Sequence, residues 1–471
     1  MASDYDSVEL GEVASVRSGF AFKSSDWTDS GVPVVKIANV KDGCLVMDGC
    51  SFVAPRVAAL ASEFALQAGD ILIAMTGYIG DVALVRERDL PVALNQRVGR
   101  FSVRDPHRLD PRFLFYLLRD DDVRKEIEGL GYGSAQPNIS PSLIHGIEIP
   151  LPPLPEQCAI ARILGALDDK IELNRRMNET LEAMARALFK SWFIDFDPVR
   201  AKAEGRDPGL PADIAALFPD SFQDSDLGEI PEGWKVQPFS DIVDIIGGGT
   251  PKTTVPEYWG GDIPWFSVVD DPRATDVWVV DTEKKITQEG VEMSSTRILP
   301  VGTTIISARG TVGKLALVGV PMAMNQSCYG LQGKAEGSSS FTYYSTRRLV
   351  AVLQQHAHGS VFDTITRDTL AGVSIPVPPA NVAQAFEFRV SPIVEQLRAT
   401  LFESRTLAAL RNTLLPKLLS GEIQVVEVSP FGGHVTHAEG CPGSNAVGGC
   451  HVKSGAAEQP GEVSNALQSL I

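Results

Sequence analysis

Short runs rich in Val, Ile and Leu, broken by Gly and Pro, fill residues 8–150 and again 233–380. VPVVKIANV at 32–40 and DILIAM at 70–75, with DIPWFSVV and GTTIISA in the second stretch, predict strands joined by turns. After each stretch the period changes. Leu164, Leu167, Ile171, Met177, Leu181, Met184 and Leu188 recur at three- and four-residue spacing, with polar Asn174 in the same stripe. Val394, Leu397, Leu401, Leu407, Leu410, Leu414 and Leu418 form a second stripe. Each predicts a long amphipathic helix that cannot bury one face alone, so the two are expected to pack on each other. Leu167, Ile171, Leu181, Met184, Leu188, Leu407, Leu410 and Leu414 are the expected packing positions. Pro198 is expected to end the first helix. Pro416 is expected to kink or end the second, leaving KLLSGEI as a capping turn or short extension.

The two halves repeat one another. Gly69-Asp70-Ile71-Leu72-Ile73-Ala74-Met75-Thr76-Gly77-Tyr78-Ile79-Gly80 aligns with Gly302-Thr303-Thr304-Ile305-Ile306-Ser307-Ala308-Arg309-Gly310-Thr311-Val312-Gly313 at an offset of 233 residues. Asn95-Gln96 matches Asn325-Gln326 at 230; Gly133-Ser134 and Ile149-Pro150-x-Pro152-Pro153 match Gly359-Ser360 and Ile375-Pro376-x-Pro378-Pro379 at 226. The order of these landmarks predicts a mixed α/β chain: a strand-rich domain over 8–150, a spacer helix within 151–197, a connector at 198–232 and a second strand-rich domain over 233–380. A second spacer helix follows within 381–423. Residues 424–471, rich in glycine and poor in bulky apolar groups, read as a disordered tail.

Composition narrows the function. No apolar run approaches the roughly 20 residues that cross a bilayer, and MASDYDSVELGE at the amino terminus has neither a basic region nor an apolar core, so a soluble, cytoplasmic protein without membrane contact is expected. The six cysteines are scattered, which indicates neither a zinc site nor a disulfide framework. His434, His437, Cys441, Cys450 and His451 cluster only in the glycine-rich tail, without a folded second shell. A net charge of −17 argues against nonspecific nucleic-acid binding over the whole surface, while leaving room for local cationic faces.

Catalysis is not expected of this chain. A cofactor-binding glycine loop and a D/N-P-P-Y/F segment for methyl transfer are both missing; Asp195-Phe196-Asp197-Pro198 has one proline and follows a helix. Gly310-Thr311-Val312-Gly313-Lys314-Leu315 lacks the upstream glycine and the hydroxyl residue of a phosphate loop, and Glu283-Lys284-Lys285 reads as a solvated charge run. The repeated turns carry more information. Thr76, Gly77 and Tyr78, and in the second copy Arg309, Gly310 and Lys314, follow strands and bring backbone donors and side chains to one place. The amides of Asn95 and Gln96 beside Arg97, and of Asn325 and Gln326, suit adenine edges or loop caps. Ser134, Gln136 and Asn138, against Ser360, Thr364, Thr366 and Arg367, form unlike polar loops in matching frames; Lys36 and Lys252 complete the candidate DNA contacts.

The chain resembles the specificity subunit of type I restriction-modification systems. The resemblance rests on Leu151-Pro-Pro-Leu-Pro-Glu-Gln157, Ile160-Ala-Arg-Ile-Leu164, Leu167-Asp-Asp-Lys-Ile-Glu-Leu-Asn174, Leu181-Glu-Ala-Met184, Phe189-Lys-Ser-Trp-Phe193 and Leu410-Arg-Asn-Thr-Leu-Leu-Pro-Lys-Leu-Leu-Ser-Gly-Glu-Ile423. It implies two target-recognition domains separated by two helices packed as an antiparallel coiled coil, in a pseudo-twofold arrangement. It also implies a bipartite double-stranded DNA target and two adenine methyltransferase subunits. Restriction/translocase subunits join these where present. S-adenosylmethionine, ATP and Mg are then expected on the partners and no cofactor in this chain. Pro379-Ala-Asn-Val-Ala-Gln384 departs from the proline-glutamate-glutamine signature of the first copy. The alternative reading is a non-catalytic scaffold or peptide-binding module.

Overall fold

The computed structural model describes residues 5–131, 138–273, 275–356 and 364–425. The described residues divide into two compact units, those of 5–170 with 407–425 and those of 171–406. The tail expectation falls almost wholly outside the described residues.

In the first unit, strands Ala14–Ser18, Val98–Val103, Ile71–Ala74 and Val82–Leu84 lie in that order in one antiparallel sheet. A second sheet orders Ala93–Leu94, Val32–Val35, Ser51–Val53 and Trp27–Thr28, its first pair parallel. The strand Ile71–Ala74 is buried on both faces, as its unbroken apolar run requires. In the second unit, strands Val243–Gly247, Cys328–Gly333, Thr304–Ser307, Leu315–Val318 and Trp278–Val279 form the matching sheet. Lys285–Ile286, Trp259–Phe266 and Ala323–Met324 form the smaller one. Each unit closes its domain with a two-stranded ribbon: Ser7–Glu9 against Glu148–Pro150 in the first, and Lys235–Pro238 against Ser374–Val377 in the second. The repeat is thus present in topology as well as in sequence.

Two helices of 40 residues follow the domains, Leu154–Phe193 and Ala380–Leu419. In the second unit Asn174 donates to Glu403 at 2.9 Å and to Ser404 at 3.2 Å, and Thr400 donates to Asn178, so the helices pair antiparallel. Apolar groups continue this seam: Ala185, Phe189, Phe386, Val390, Val394 and Leu397 are buried in one cluster. In the first unit Ile160, Ala161 and Leu164 are buried with Leu415, Leu418 and Leu419.

Three expectations are corrected. The first helix ends at Phe193, not at Pro198; Phe196 adopts a left-handed φ of 56°, and Pro198 lies in the first turn of a new helix, Asp197–Ala203, where its missing N–H costs nothing. The second helix does not end at Pro416 but runs on to Leu419, and it contains Pro392 as well. Met184 and Leu410 do not pack in the seam, being 38% and 46% exposed. Polar side chains take much of the buried line on the first helix, Asp168, Glu172, Asn174, Asn178 and Glu182 beside Ala185, while Val394, Leu397, Leu415 and Leu418 are buried on the second. Leu167, Ile171, Leu181, Leu188, Leu407 and Leu414 flank it half-buried.

Burying carboxylates and amides there is tolerable only because they are partnered. Asp168 accepts from the Tyr116 hydroxyl at 2.9 Å, from Arg119 at 3.0 Å and from Arg411. Burial, opposed by the Asp168 carboxylate and reinforced by Arg411, pulls the Arg119 guanidinium below its usual range. A spacer-helix side chain also caps a domain helix in each unit. Gln157 is fully buried, accepts from the Asp110 amide at 2.9 Å and donates to the Arg108 and Pro152 carbonyls at 2.8 Å. Glu387 accepts from the amides of Ser340 and Phe341, at 3.0 and 3.1 Å, at the start of the helix Ser339–His356. The second copy therefore replaces the missing glutamine with a different residue one turn further on.

Two tests follow from these contacts. Asp168→Asn leaves Arg119 and Arg411 without their carboxylate, and is expected to cost the first unit about 3 kcal/mol, measured by urea unfolding with hydrogen exchange to locate the loss. Burial raises the Glu387 carboxyl, while the two amides pull it down. A carboxyl raised by folding contributes its full stability at low pH and loses it as pH rises through the folded value. The unfolding midpoint of Glu387→Gln should therefore gain on wild type as pH rises from about 4 to 8; the opposite trend would show that the amides outweigh burial.

Candidate nucleic-acid interface

Three segments meet at one end of the main sheet in each domain. In the first, the Met75 amide donates to the Arg97 carbonyl at 3.1 Å and the Ile139 amide to the Met75 carbonyl at 2.9 Å. Thr76 bridges Asn138, with its hydroxyl on the Asn138 side-chain oxygen at 2.7 Å. In the second, the Ala308 amide donates to Ser327 at 2.7 Å, the Ile365 amide to Ala308 at 2.8 Å, and Arg309 bridges Thr364. The same backbone platform is built twice from different side chains.

The turns after the central strands are set by glycine. Gly77 and Gly80 have φ of 73° and 87°, and Gly310 and Gly313 have 79° and 85°, a region that side chains with a Cβ rarely enter. Between them Tyr78 stands 56% exposed, while Thr76 beneath is buried. Arg309, Gly310 and Thr311 are exposed in the second copy. Lys314 is not free in this structure: its ammonium pairs with Asp271 at 3.1 Å, and burial raises the Asp271 carboxyl despite that lysine. The equivalent position in the first copy is Asp81, paired with Arg124 at 2.6 Å. The site thus keeps an ion pair and inverts its sign.

The Asn-Gln pairs divide their work. Asn95 turns its side-chain oxygen back to the Arg97 amide at 3.2 Å, and Asn325 does the same to the Ser327 amide at 3.0 Å. Both are loop caps. Gln96, Arg97 and Gln326 are exposed, with Gln326 accepting from the Thr250 hydroxyl. Sequence reasoning missed what grips these pairs: Gly19 in one domain and Gly248 in the other lie so close that a Cβ would overlap the carbonyl oxygen of Asn95 or Asn325. The signal was available, since Gly19 and Gly248 stand 229 residues apart, close to the repeat offset.

The remaining candidates are spread around this end. Lys36 follows the strand whose Val35 carbonyl accepts from the Asn95 amide, but its ammonium lies 3.9 Å from the Trp27 ring and 2.7 Å from the Ser51 hydroxyl. Lys252 is exposed. Arg367, in the first turn of a helix capped by Thr366, donates to the Ile245 carbonyl at 3.0 Å. Ser134, Gln136 and Ser360 lie outside the described residues. Among the described residues no group of three or more His, Cys, Asp or Glu could hold a metal ion, and no helix is long and apolar enough to cross a membrane.

A family model for the type I restriction modification DNA specificity domain matches residues 2–183 and 231–387, one copy of the repeat each. The chain belongs to this family of specificity subunits. It is 28% identical over 359 residues to the type I restriction enzyme HindI specificity subunit of Haemophilus influenzae, covering 66% of this chain and 77% of that one. To the MjaIX specificity subunit of Methanocaldococcus jannaschii it is 35% identical over 165 residues, 35% of this chain and 38% of that one. The fold is similar to that of the type I restriction-modification S subunit from M. genitalium, with a TM-score of 0.52 at 16% identity, over 88% of this chain and 96% of the other. Membership makes recognition of a DNA target the general role of this specificity subunit.

The glycine grip generates a test that needs no DNA. Gly19→Ala should destabilise the first unit and Gly248→Ala the second, each by about 1–3 kcal/mol from overpacking. Thermal unfolding with hydrogen exchange around Asn95 and Asn325 would check it; an unshifted midpoint for both variants would mean that the loops yield freely.

Proposed function

We propose that each domain reads one half of a bipartite double-stranded DNA target through the platform at its sheet end, and that the chain positions two adenine methyltransferase subunits there. These carry S-adenosylmethionine; where restriction subunits join, they bring ATP-dependent translocation with Mg. The observation that carries this reading is the duplicated platform. The bridges Thr76–Asn138 and Arg309–Thr364 occupy equivalent places with unlike side chains, as two readers of different words would require. Tyr78, Arg97 and Asn138 in the first domain, and Arg309, Thr311 and Arg367 in the second, are the positions that differ. Exposed apolar and aromatic side chains on the long helices, Leu173, Met184, Phe388 and Phe402, suit contact with protein rather than with phosphates.

The experiment is methylation mapping at adenines in DNA treated with the reconstituted complex. A split motif with one methylated adenine in each half is expected. Exchanging residues 8–150 for the corresponding domain of another specificity subunit should then change one half-site and leave the other intact. A continuous motif, no motif, or simultaneous change of both halves would overturn independent reading.

A further inference from the structure

The two reading platforms differ at nearly every exposed position, yet both keep one exposed glutamine at the same place, Gln96 and Gln326. The surrounding backbone is committed to holding it. Asn95 and Asn325 cap the turn with their own side chains, and Gly19 and Gly248 press against the asparagine carbonyls. The Gln96 amide donates to the Phe20 carbonyl at 2.9 Å, which fixes the residue's backbone while its side chain stays exposed. In the second domain Thr250 donates its hydroxyl to the Gln326 side-chain oxygen, orienting the amide and leaving one acceptor lone pair and both amide hydrogens. Where two readers of different words share one side chain, that side chain is suited to what the words share.

A phosphate is shared by every site, but it suits this group poorly. Phosphate oxygens only accept, so the glutamine carbonyl would face a negative charge unpaired. An adenine edge satisfies both ends of the amide, since N7 accepts and the N6 amino group donates. Resting on the half-site reading above, we infer that Gln96 and Gln326 are the specificity-determining residues for the one base common to both half-sites, an adenine. Each reads it in the stacked duplex through N6 and N7, before any extrusion for methyl transfer. Asn95 and Asn325 take no part in base contact. The unlike residues around the glutamines, Thr76, Tyr78 and Arg97 against Arg309, Thr311 and Ser327, then supply the differences between the two words.

The test uses the full chain assembled with its modification subunits and the mapped target, without methyl donor. Duplexes carry 7-deaza-2′-deoxyadenosine, which lacks the N7 acceptor, in place of the methylated adenine of one half-site at a time. Wild type should bind each substituted duplex roughly 5- to 150-fold more weakly. Gln96→Ala should abolish the penalty in one half-site only, Gln326→Ala in the other, while each variant keeps the wild-type penalty in the half it does not touch. Gln96→Glu, which retains size but not the amide donors, should behave as Gln96→Ala does. No analogue penalty in wild type would overturn the inference. So would a full penalty surviving in the variants, an equal loss on cognate and random duplexes, or failure of the variants to assemble with the modification subunits. Absence of any mapped bipartite target in the wild-type complex would instead defeat the half-site reading itself.

Discussion

Two 40-residue helices bury carboxylates and amides as well as leucines, and these side chains find partners inside the protein, with the Asn174 side-chain oxygen left unpaired. Asp168 does so with a tyrosine and two arginines, Asn174 and Asn178 with the facing helix, and Glu182 with Arg347 at 2.6 Å. A leucine seam could slide by a turn at modest cost. A seam studded with partnered polar groups cannot, because each shift would strand several groups without water. The same logic governs the junction with the domains, where Gln157 and Glu387 satisfy amides at the start of a domain helix. Within each unit the strand-rich domain is therefore fixed to its stretch of helix by contacts that leave little freedom of register.

Much of this was legible in the residues. The apolar runs marked the central strands, and the ordered landmarks of the repeat gave two domains of one topology. The helix stripes gave two long helices that pair. The fine position of the seam was not legible, because hydrophobic periodicity assigns the buried face to the most apolar line. On the first helix Leu167, Ile171, Leu181 and Leu188 flank the face and Asp168, Glu172 and Glu182 occupy it beside Leu164 and Ala185, whereas on the second Val394, Leu397 and Leu418 are buried as their stripe predicts. Asp168 and Glu182 look solvated by type; only the arrival of Arg119, Arg411 and Arg347 from distant sequence makes their burial possible. Pro198 misled for a related reason: proline forbids a helix interior but favours a first turn, and its type alone does not say which end of a helix it marks.

At the candidate interface the frame was legible and the roles were not. Asn95 and Gln96 are chemically interchangeable as amides, and nothing in their order says which one caps the loop. The assignment comes from geometry, with the asparagine oxygen reaching the amide two residues on, a reach that the longer glutamine overshoots. Lys36 and Lys314 look like phosphate contacts by charge, yet one lies over Trp27 and the other is paired with Asp271. Neither neighbour follows from the charge of the lysine alone.

The division between backbone frame and side-chain content also accounts for how one chain can hold two platforms of the same shape and unlike surface. Each platform is tied by main-chain bonds between three segments, and the turns beside it by glycines in the left-handed region, so its shape depends little on the exposed side chains. Those side chains can then change in kind, as Tyr78 to Thr311 or the Asp81–Arg124 pair to Lys314–Asp271, without refolding the loop. Electrostatics follows the same partition. Arg97 and Arg309 stand exposed on the platforms of a chain with a net charge of −17, so nonspecific attraction to a polyanion is weak over the surface as a whole. Recognition on such a surface depends on matched contacts more than on charge, and matched contacts are what a rigid, repeated platform can present.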